Sequence, residues 1–486
     1  MIGESHRKRN SGKIDEEIGK VKGVSALSNY ERYFADKREE HLSELKEWLS
    51  IPSISALSEH KKDIQAAASW LADALKRAGM ETVEILETKG HPIVYAERMK
   101  APGRPTLLIY GHYDVQPVDP LNLWTTPPFE PDIRDGKLYA RGATDDKGQL
   151  FLHIKAVEAI LREEGELPVN IKFCIEGEEE ISGESLPEFL KANKEKVAAD
   201  AVIISDSSLL EPGKPSICTG LRGLCSLEVT VSTAKTDLHS GLYGGAVPNA
   251  LHALISLLDT LHDEKGRVTV EGFYEGVPEL TDLEKADLAS YNPDEKKLAA
   301  DLGLDALYGE EGFSFTERTG ARPTLELNGV WGGFQGEGTK TVIPKEAHAK
   351  ITCRLVGTQD PQKTLDRVES HLKANVQKGA KVRVEQGERA NAFTCDPSDP
   401  MLQLAADAYE EVYGKRAVFT KDGGSIPVVA TFSRVVEAPV VIMGFGLPDE
   451  NLHAPDEHLN LVNFDKGLLT LVRYLHKTAK VEPSRK

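Results

Sequence analysis

Two ionisable residues follow directly on a short apolar stretch in the segment LLIYGHYDVQP, residues 107–117. His112 and Asp114 are one residue apart, so in an extended chain their side chains point to the same side. The end of a strand is also where open α/β sheets bind their ligands. Taken alone, however, the segment slightly favours a hydrogen-bonded polar pair over a functional site.

Four further predicted strands are followed by histidines or acidic residues. These residues are Asp145 and Asp146, Glu178, Glu179 and Glu180, Asp206, and His453 with His458. One acidic cluster is usually a solvated loop, but five such endings in one chain indicate a single site. Histidine and carboxylate ligands without cysteine are typical of zinc, manganese or cobalt centres. Their number exceeds what one catalytic zinc ion needs, which predicts a pair of ions.

Two such ions, about 3.5–4 Å apart, would share a bridging carboxylate and a bridging water. Their charge lowers the pKa of that water towards neutrality and creates a hydroxide nucleophile. A carboxylate beside the ligands can accept the proton of the water. The chemistry predicted from these residues is therefore hydrolysis.

The segments that carry these residues alternate between predicted helices and strands. Helical patterns cover 27–49, about 61–79 and 147–164, and the predicted strands include VNIKFCIEG and DAVIISD. This alternation predicts an α/β catalytic domain with a mixed, mostly parallel sheet that is covered by helices on both faces.

The pattern changes near Gly223, where CSLEVTVST alternates between apolar and polar residues as a half-exposed strand does. Because 486 residues exceed one ordinary core, we predict a second α+β domain that is inserted into the first. The predicted boundaries are a mobile leader at 1–26, the catalytic domain at 27–220 and 391–486, and the inserted domain at 221–390, whose part 266–323 is predicted to be irregular.

Composition excludes several classes of partner. The formal net charge is −18, from 77 acidic and 59 basic residues, which argues against nucleic acid and anionic membranes. Five scattered cysteines without a C-x-x-C pair predict reduced thiols in a cytoplasmic protein. No apolar run approaches the roughly 20 residues of a membrane span, and the N-terminal segment lacks the apolar core of a secretory signal.

Six motifs occur in a fixed order: GHYDVQP, RGATDDKG, EGEEEISG, ISDSS, DLHSGLYGG and KDGGSIPV. Together they resemble the di-metal peptidase family of aminoacylases, carboxypeptidase G and carnosinase, and most of all its cytosolic non-specific dipeptidases and carnosinases. The resemblance extends from about residue 27 to 478. It implies a homodimer that hydrolyses dipeptides or other short peptides and releases the C-terminal amino acid. The alternatives are an N-acyl amino acid deacylase or carboxypeptidase, or a metal-binding dimer without activity.

The resemblance also implies a role for each ligand of two divalent ions, with zinc favoured over manganese or cobalt. His112 and Asp206 would bind one ion, Glu180 and His453 the other, and Asp145 would bridge them. The peptide bond after Asp145 would be cis.

Two carboxylates would assist the ligands. Asp114 would fix the tautomer of His112, and Glu179 would be the general base. Three consecutive glutamates leave Glu178 as a rival for that base. The family continues E-E-x-G-S, whereas this chain has EEISGES. His458 is interpreted as an outer or surface histidine.

The resemblance also implies that the inserted domain serves as lid and dimerisation domain, and that this domain and the KDGGSIPV loop complete the site. By resemblance, His239 stabilises the oxyanion in the active site of the partner subunit. Arg354 would clamp the terminal carboxylate of the substrate, although a surface salt bridge explains it equally well. The remaining candidates for that pocket are Ser425, Gly424, Thr341 and Asn249.

Overall fold

The computed structural model describes residues 29–424 and 427–483, so the predicted leader and Ser425 lie outside the described residues. The described chain forms two compact units. The first comprises the residues up to Ile217, Pro400–Ala417 and those from Val435 onwards. The second comprises Cys218–Asp399 and Val418–Arg434.

Residues 418–434 differ from the predicted division, because they cluster with the second unit rather than with the catalytic domain. The strand Val418–Asp422 pairs with the strand Ser216–Leu221. The hydroxyl of Thr219 also donates to the carbonyl of Thr420 at 3.0 Å. These contacts link segments about 200 positions apart, which no local pattern reveals.

The sheet of the first unit is mixed. Six of its nine strands lie wholly in this unit, in the order Thr82–Leu86, Ile93–Arg98, Asn170–Glu176, Thr106–His112, Ala201–Ile204 and Val440–Ile442. The first three strands pair antiparallel, and the remaining three pairings are parallel. The central strands are almost entirely buried because helices flank the sheet. The predicted α/β fold class is confirmed.

Helices that bury apolar residues provide this cover. They are 29–49, Lys61–Arg77, Lys147–Glu164, Ser185–Ala192, Pro400–Tyr413 and Leu461–Thr478. In Lys61–Arg77, for example, Ile64, Ala68, Leu71 and Leu75 are buried at helical spacing and pack towards the first two strands. A small antiparallel sheet of Asp132–Arg134, Lys137–Tyr139 and His458–Asn460 lies in the same unit.

The second unit contains an antiparallel sheet with its own core. The strand order is Thr324–Gly332, Glu346–Leu355, Gly223–Ser232 and Lys381–Ala390. Residues alternate between buried and half-buried along Gly223–Ser232, because the helices Ala250–Asp259 and Pro361–Asn375 pack on one face only. The helix Pro427–Val436 begins within the KDGGSIPV segment, at its proline.

The segment 266–323 is not uniformly irregular, and that prediction was wrong. It contains the helices Asp282–Ser290 and Glu295–Asp301 and a short π-helix, Glu317–Ala321. The side chains of Thr281 and Asp294 cap the first two helices by accepting main-chain N–H groups.

All five cysteines carry free thiols. Within 29–424 and 427–483, every helix is too short or too polar to cross a lipid bilayer.

Candidate metal centre

The parallel strands of the first unit deliver the candidate residues to one edge of the sheet. His112 is the last residue of its strand, and Asp206 follows the neighbouring strand Ala201–Ile204 after one intervening residue. The loop after Asn170–Glu176 carries Glu179 and Glu180. Because parallel strands end at the same edge, these side chains meet in one place.

Asp145 lies between two histidines. Its Oδ1 atom is 3.1 Å from Nε2 of His112, and its Oδ2 atom is 2.9 Å from Nε2 of His453. Asp206 approaches His112 at 3.8 Å, and Glu180 approaches His453 at 3.3 Å. The site therefore consists of two histidine–carboxylate pairs with one shared carboxylate between them.

The charges of these groups are strongly coupled. Burial would raise the pKa of Asp145, but hydrogen bonds with the two histidines hold it below its usual range. Hydrogen bonds to Asp145 and Glu180 raise the pKa of His453 to about 10. Burial, together with the charge of Asp145, raises the pKa of Asp206 to about 7. The carboxylates repel one another, so a cation placed among them would stabilise the ionised cluster.

The donor set fits divalent metal ions. His112, Asp145 and Glu180 each offer one ligand atom, and these atoms all lie within 4.8 Å of one another. Imidazole and carboxylate donors are suited to zinc, manganese and cobalt. The two oxygens of Asp145 face different histidines, which is the arrangement that a carboxylate bridging two ions requires.

His112 is held by neighbouring main-chain and carboxylate groups. Its Nδ1 atom lies 3.1 Å from the main-chain carbonyl of Asp114 and 3.4 Å from Oδ1 of the same residue. A proton on Nδ1 therefore leaves Nε2 as the metal-facing nitrogen. The carboxylate of Asp114 also accepts the N–H of Glu180 at 3.2 Å, so it contacts both ligand segments.

Asp146, adjacent to the central carboxylate, supports the strand end. The predicted cis peptide bond between Asp145 and Asp146 is present. Oδ2 of Asp146 accepts the main-chain N–H of His112 at 3.2 Å. A Cβ at Gly111 would lie 2.6 Å from that oxygen, which explains the glycine of the GHYD motif.

The three consecutive glutamates point to different neighbours. The carboxylate of Glu178 accepts the N–H of His91 at 3.0 Å. Oε2 of Glu180 accepts from the side-chain amide of Gln116 at 2.8 Å. Burial and the charge of Asp206 raise the pKa of Glu179, the charge of His112 lowers it, and the net value is about 8. Glu179 thus lies within electrostatic range of the ligands, whereas Glu178 is bound to the main chain.

Local packing explains why this chain has Ser182 before Gly183, where the family pattern has glycine before serine. Ser182 adopts a left-handed conformation with φ of 52°. A Cβ at Gly183 would lie 2.4 Å from Cβ of Glu178, so position 183 is the one that requires glycine.

Three residues of the site were not recognised from their sequence pattern: Arg141, Glu450 and Glu457. Glu457 is fully buried, and in the sequence HAPDEH it stands between His453 and His458. The feature of the sequence that could have indicated Glu457 is its position between two histidines that were themselves candidates for the site. His458 is buried, with its ring centroid 4.8 Å from that of Tyr139, so it is not a surface histidine.

The second unit carries the other candidates. Nδ1 of His239, an exposed residue, accepts the N–H of Gly241 at 3.0 Å, so its neutral ring presents Nε2–H as a donor. Thr341 is adjacent, since its carbonyl accepts the N–H of Ser240 at 3.0 Å. Asn249 caps the helix Ala250–Asp259 by accepting the N–H of Leu251.

Arg354 is half-buried near the end of the strand Glu346–Leu355, at the register position of Leu224. The loop of Gly424 is held by Arg222, whose main-chain N–H donates to the Gly424 carbonyl at 3.1 Å. The N–H of Gly424 donates to Asp422 at 2.8 Å.

Comparison with known proteins gives a match over most of the chain. Residues 108–477 match the model of Peptidase family M20/M25/M40. The Cys-Gly metallodipeptidase dug1 of Schizosaccharomyces pombe is 32% identical over 92% of this chain and 97% of that protein. The Beta-Ala-His dipeptidase of Mus musculus is 30% identical over 88% of this chain and 91% of that protein.

A solved structure has the same fold. The M20 family metallo-carboxypeptidase Sso-CP2 from Sulfolobus solfataricus is 33% identical, with a TM-score of 0.75. The match covers 91% of this chain and 100% of that one.

Proposed function

The chain belongs to Peptidase family M20/M25/M40, and we propose that it is a metal-dependent dipeptidase that releases the C-terminal amino acid of short peptides. The observation that carries this proposal is the carboxylate of Asp145, held between His112 and His453. The names of the two curated relatives favour dipeptides over N-acyl amino acids as substrates.

We assign the ligands in two groups around Asp145. His112 and Asp206 would hold one divalent ion, and Glu180 and His453 the other, with zinc favoured over manganese or cobalt. Two ions held there would polarise the peptide carbonyl and lower the pKa of the attacking water.

Glu179 would accept the proton of the attacking water and pass it to the leaving amine. Asp114 would hold His112 and the N–H of Glu180 in position through the contacts described above. The role of Glu178 would be structural, because its carboxylate is occupied by the N–H of His91.

Residues of the second unit would bind the substrate. Arg354 would pair with the terminal carboxylate through its planar guanidinium. Gly424, Ser425, Thr341 and Asn249 are further candidates for that pocket. His239 would donate Nε2–H to the developing oxyanion of the partner's site in a homodimer, which its exposure and its tautomer permit.

The free thiols of all five cysteines support a reducing compartment, and we propose a cytoplasmic location.

A matched substrate panel tests the dipeptidase assignment. The purified protein, supplied in turn with Zn²⁺, Mn²⁺ or Co²⁺, is given Cys-Gly, β-Ala-His and other dipeptides beside the N-acetyl forms of the same C-terminal amino acids. We expect higher kcat/KM for the dipeptides. Higher values for the acetylated compounds would identify a deacylase, and no hydrolysis with any metal would favour a dimer without activity.

Replacing Arg354 by lysine should reduce kcat/KM strongly for dipeptides with a free carboxylate. The ammonium keeps the charge but loses the fork that binds both carboxylate oxygens. C-terminally amidated dipeptides lack that carboxylate, so the variant should treat them nearly as the wild type does. Steady-state kinetics on both series measures the difference, and equal losses would show that Arg354 acts through the structure of the sheet.

A further inference from the structure

We propose that Glu457 is the residue that positions Asp145, by fixing the main chain of the segment 141–145 against the segment that carries His453. This inference rests on the proposed metal centre and concerns a residue outside its ligand set. It follows from the hydrogen bonds of one buried carboxylate.

Each oxygen of the Glu457 carboxylate accepts two hydrogen bonds. Oε1 accepts the main-chain N–H groups of Thr144 and Asp145, both at 3.1 Å. Oε2 accepts the N–H of Gly142 at 3.0 Å and the guanidinium of Arg141 at 2.7 Å. Three main-chain N–H groups within residues 142–145 are thereby bound to one side chain. One of these groups is the N–H of Asp145, whose carboxylate lies between His112 and His453.

The same residue is anchored in the other ligand segment. The carbonyl of Glu457 accepts the N–H of Ala140 at 3.1 Å. The following strand His458–Asn460 pairs with Lys137–Tyr139, immediately before the segment 141–145. His453 lies four positions before Glu457 in the chain. Glu457 therefore sets the position of Asp145 relative to His453, the pair that lies 2.9 Å apart.

Only a carboxylate satisfies this arrangement. All four neighbours are hydrogen-bond donors. A glutamine at position 457 would place its NH2 group, which is also a donor, opposite two of them. The charge of Glu457 is matched by Arg141, a fully buried residue that also donates to the carbonyl of Pro117 at 3.1 Å. Glu450 assists from the same region by accepting the hydroxyl of Thr144 at 2.6 Å.

Competition for Co²⁺ between the full-length protein and a chelator tests this role without an activity assay. Glu457→Gln should weaken Co²⁺ binding about 10–100-fold, the usual cost of losing a group that orients a metal ligand. The visible spectrum of the Co²⁺ protein should change as well, because the coordination geometry changes. Unaltered affinity and spectrum in the folded variant would overturn the proposal.

A control variant separates the positioning role of Glu457 from a general effect on the stability of the protein. Glu310→Gln removes another buried partner of arginine, since Glu310 accepts from Arg322 twice at 2.8 Å in the second unit. It should lower Tm but leave Co²⁺ binding unchanged. If Glu310→Gln weakened Co²⁺ binding as much as Glu457→Gln, the role of Glu457 would be stability alone.

Glu457→Asp covers the case in which Glu457→Gln does not fold. It keeps the charge opposite Arg141 but withdraws the carboxylate by one methylene, so it should weaken Co²⁺ binding in the same direction by a smaller factor. Wild-type affinity in this variant would contradict the proposal.

Asp145→Ala distinguishes failure of this inference from failure of the proposed function. If Asp145→Ala still binds two Co²⁺ ions as the wild type does, the metal centre itself is misassigned. If Asp145→Ala loses Co²⁺ while both Glu457 variants retain it, only the positioning role fails.

Discussion

Replacing Glu179 by glutamine is expected to lower kcat by ~10²–10⁴-fold, the usual contribution of a general base, while the metal content stays unchanged. A carboxamide has nearly the shape of the carboxylate but cannot accept the proton of the attacking water. Because Glu179 is not assigned as a ligand, the ions should remain bound. Steady-state kinetics combined with elemental analysis of the same preparation measures both quantities.

The neighbouring glutamate supplies a matched control. The carboxylate of Glu178 accepts the N–H of His91, and the carbonyl oxygen of a glutamine can accept the same hydrogen bond. Glu178→Gln should therefore retain activity close to that of the wild type. The opposite outcome, in which Glu178→Gln is inactive and Glu179→Gln is active, would shift the assignment of the base by one residue.

The sequence alone could not decide between these two glutamates, because nothing in the run EEE distinguishes its members. What differs between their surroundings is set by residues distant in the chain, such as His91, whose N–H is bound by Glu178. A Cβ at Gly90 would lie 1.6 Å from Oε1 of Glu178, so that glycine makes room for the carboxylate beside His91. A contact of this kind depends on tertiary packing and leaves no periodic pattern.

The metal centre was easier to predict than its support. Its histidines and carboxylates follow successive strands, and parallel strands bring such residues to one edge of a sheet. Glu457 was missed because a carboxylate in a loop is usually solvated, whereas here it is buried under four donors. The proposed role of Glu457 depends on main-chain N–H groups. Every residue except proline has such a group, so these partners cannot be recognised from a sequence motif.

Elements with few apolar residues were also missed. The helix Asp282–Ser290 buries only Leu288, so it lacks the apolar stripe from which helices are predicted. Its start was nevertheless encoded, because Thr281 and Glu284 form a capping box in the sequence TDLE. Helix caps were therefore a better signal than periodicity in the segment 266–323.

The proposed homodimer leads to the second large effect. His239→Ala should lower kcat by ~10²–10³-fold, the usual cost of removing one oxyanion donor. Loss of activity alone does not show which subunit the histidine serves. Subunit exchange between inactive variants answers that question.

Mixing His239→Ala dimers with Glu179→Gln dimers should restore activity if His239 serves the partner's site. In a mixed dimer, the His239→Ala chain keeps its own Glu179 and receives His239 from its partner, so one site is complete. If His239 served its own chain, each site in the mixture would still lack one group. Mass spectrometry measures the fraction of mixed dimers, and activity should rise with it.

A double variant gives the opposite expected result, a fall in activity on mixing. It therefore shows that the recovery in the first mixture is not a general activation caused by subunit exchange. When wild type is mixed with His239→Ala/Glu179→Gln, the wild-type chain of a mixed dimer keeps Glu179 but receives alanine at position 239. The other chain lacks the base, so both sites should be impaired and activity should fall as mixed dimers form. If each histidine acted within its own chain, the wild-type site of every mixed dimer would stay fully active. Retained activity in this mixture, together with no recovery in the first one, would assign His239 to its own subunit.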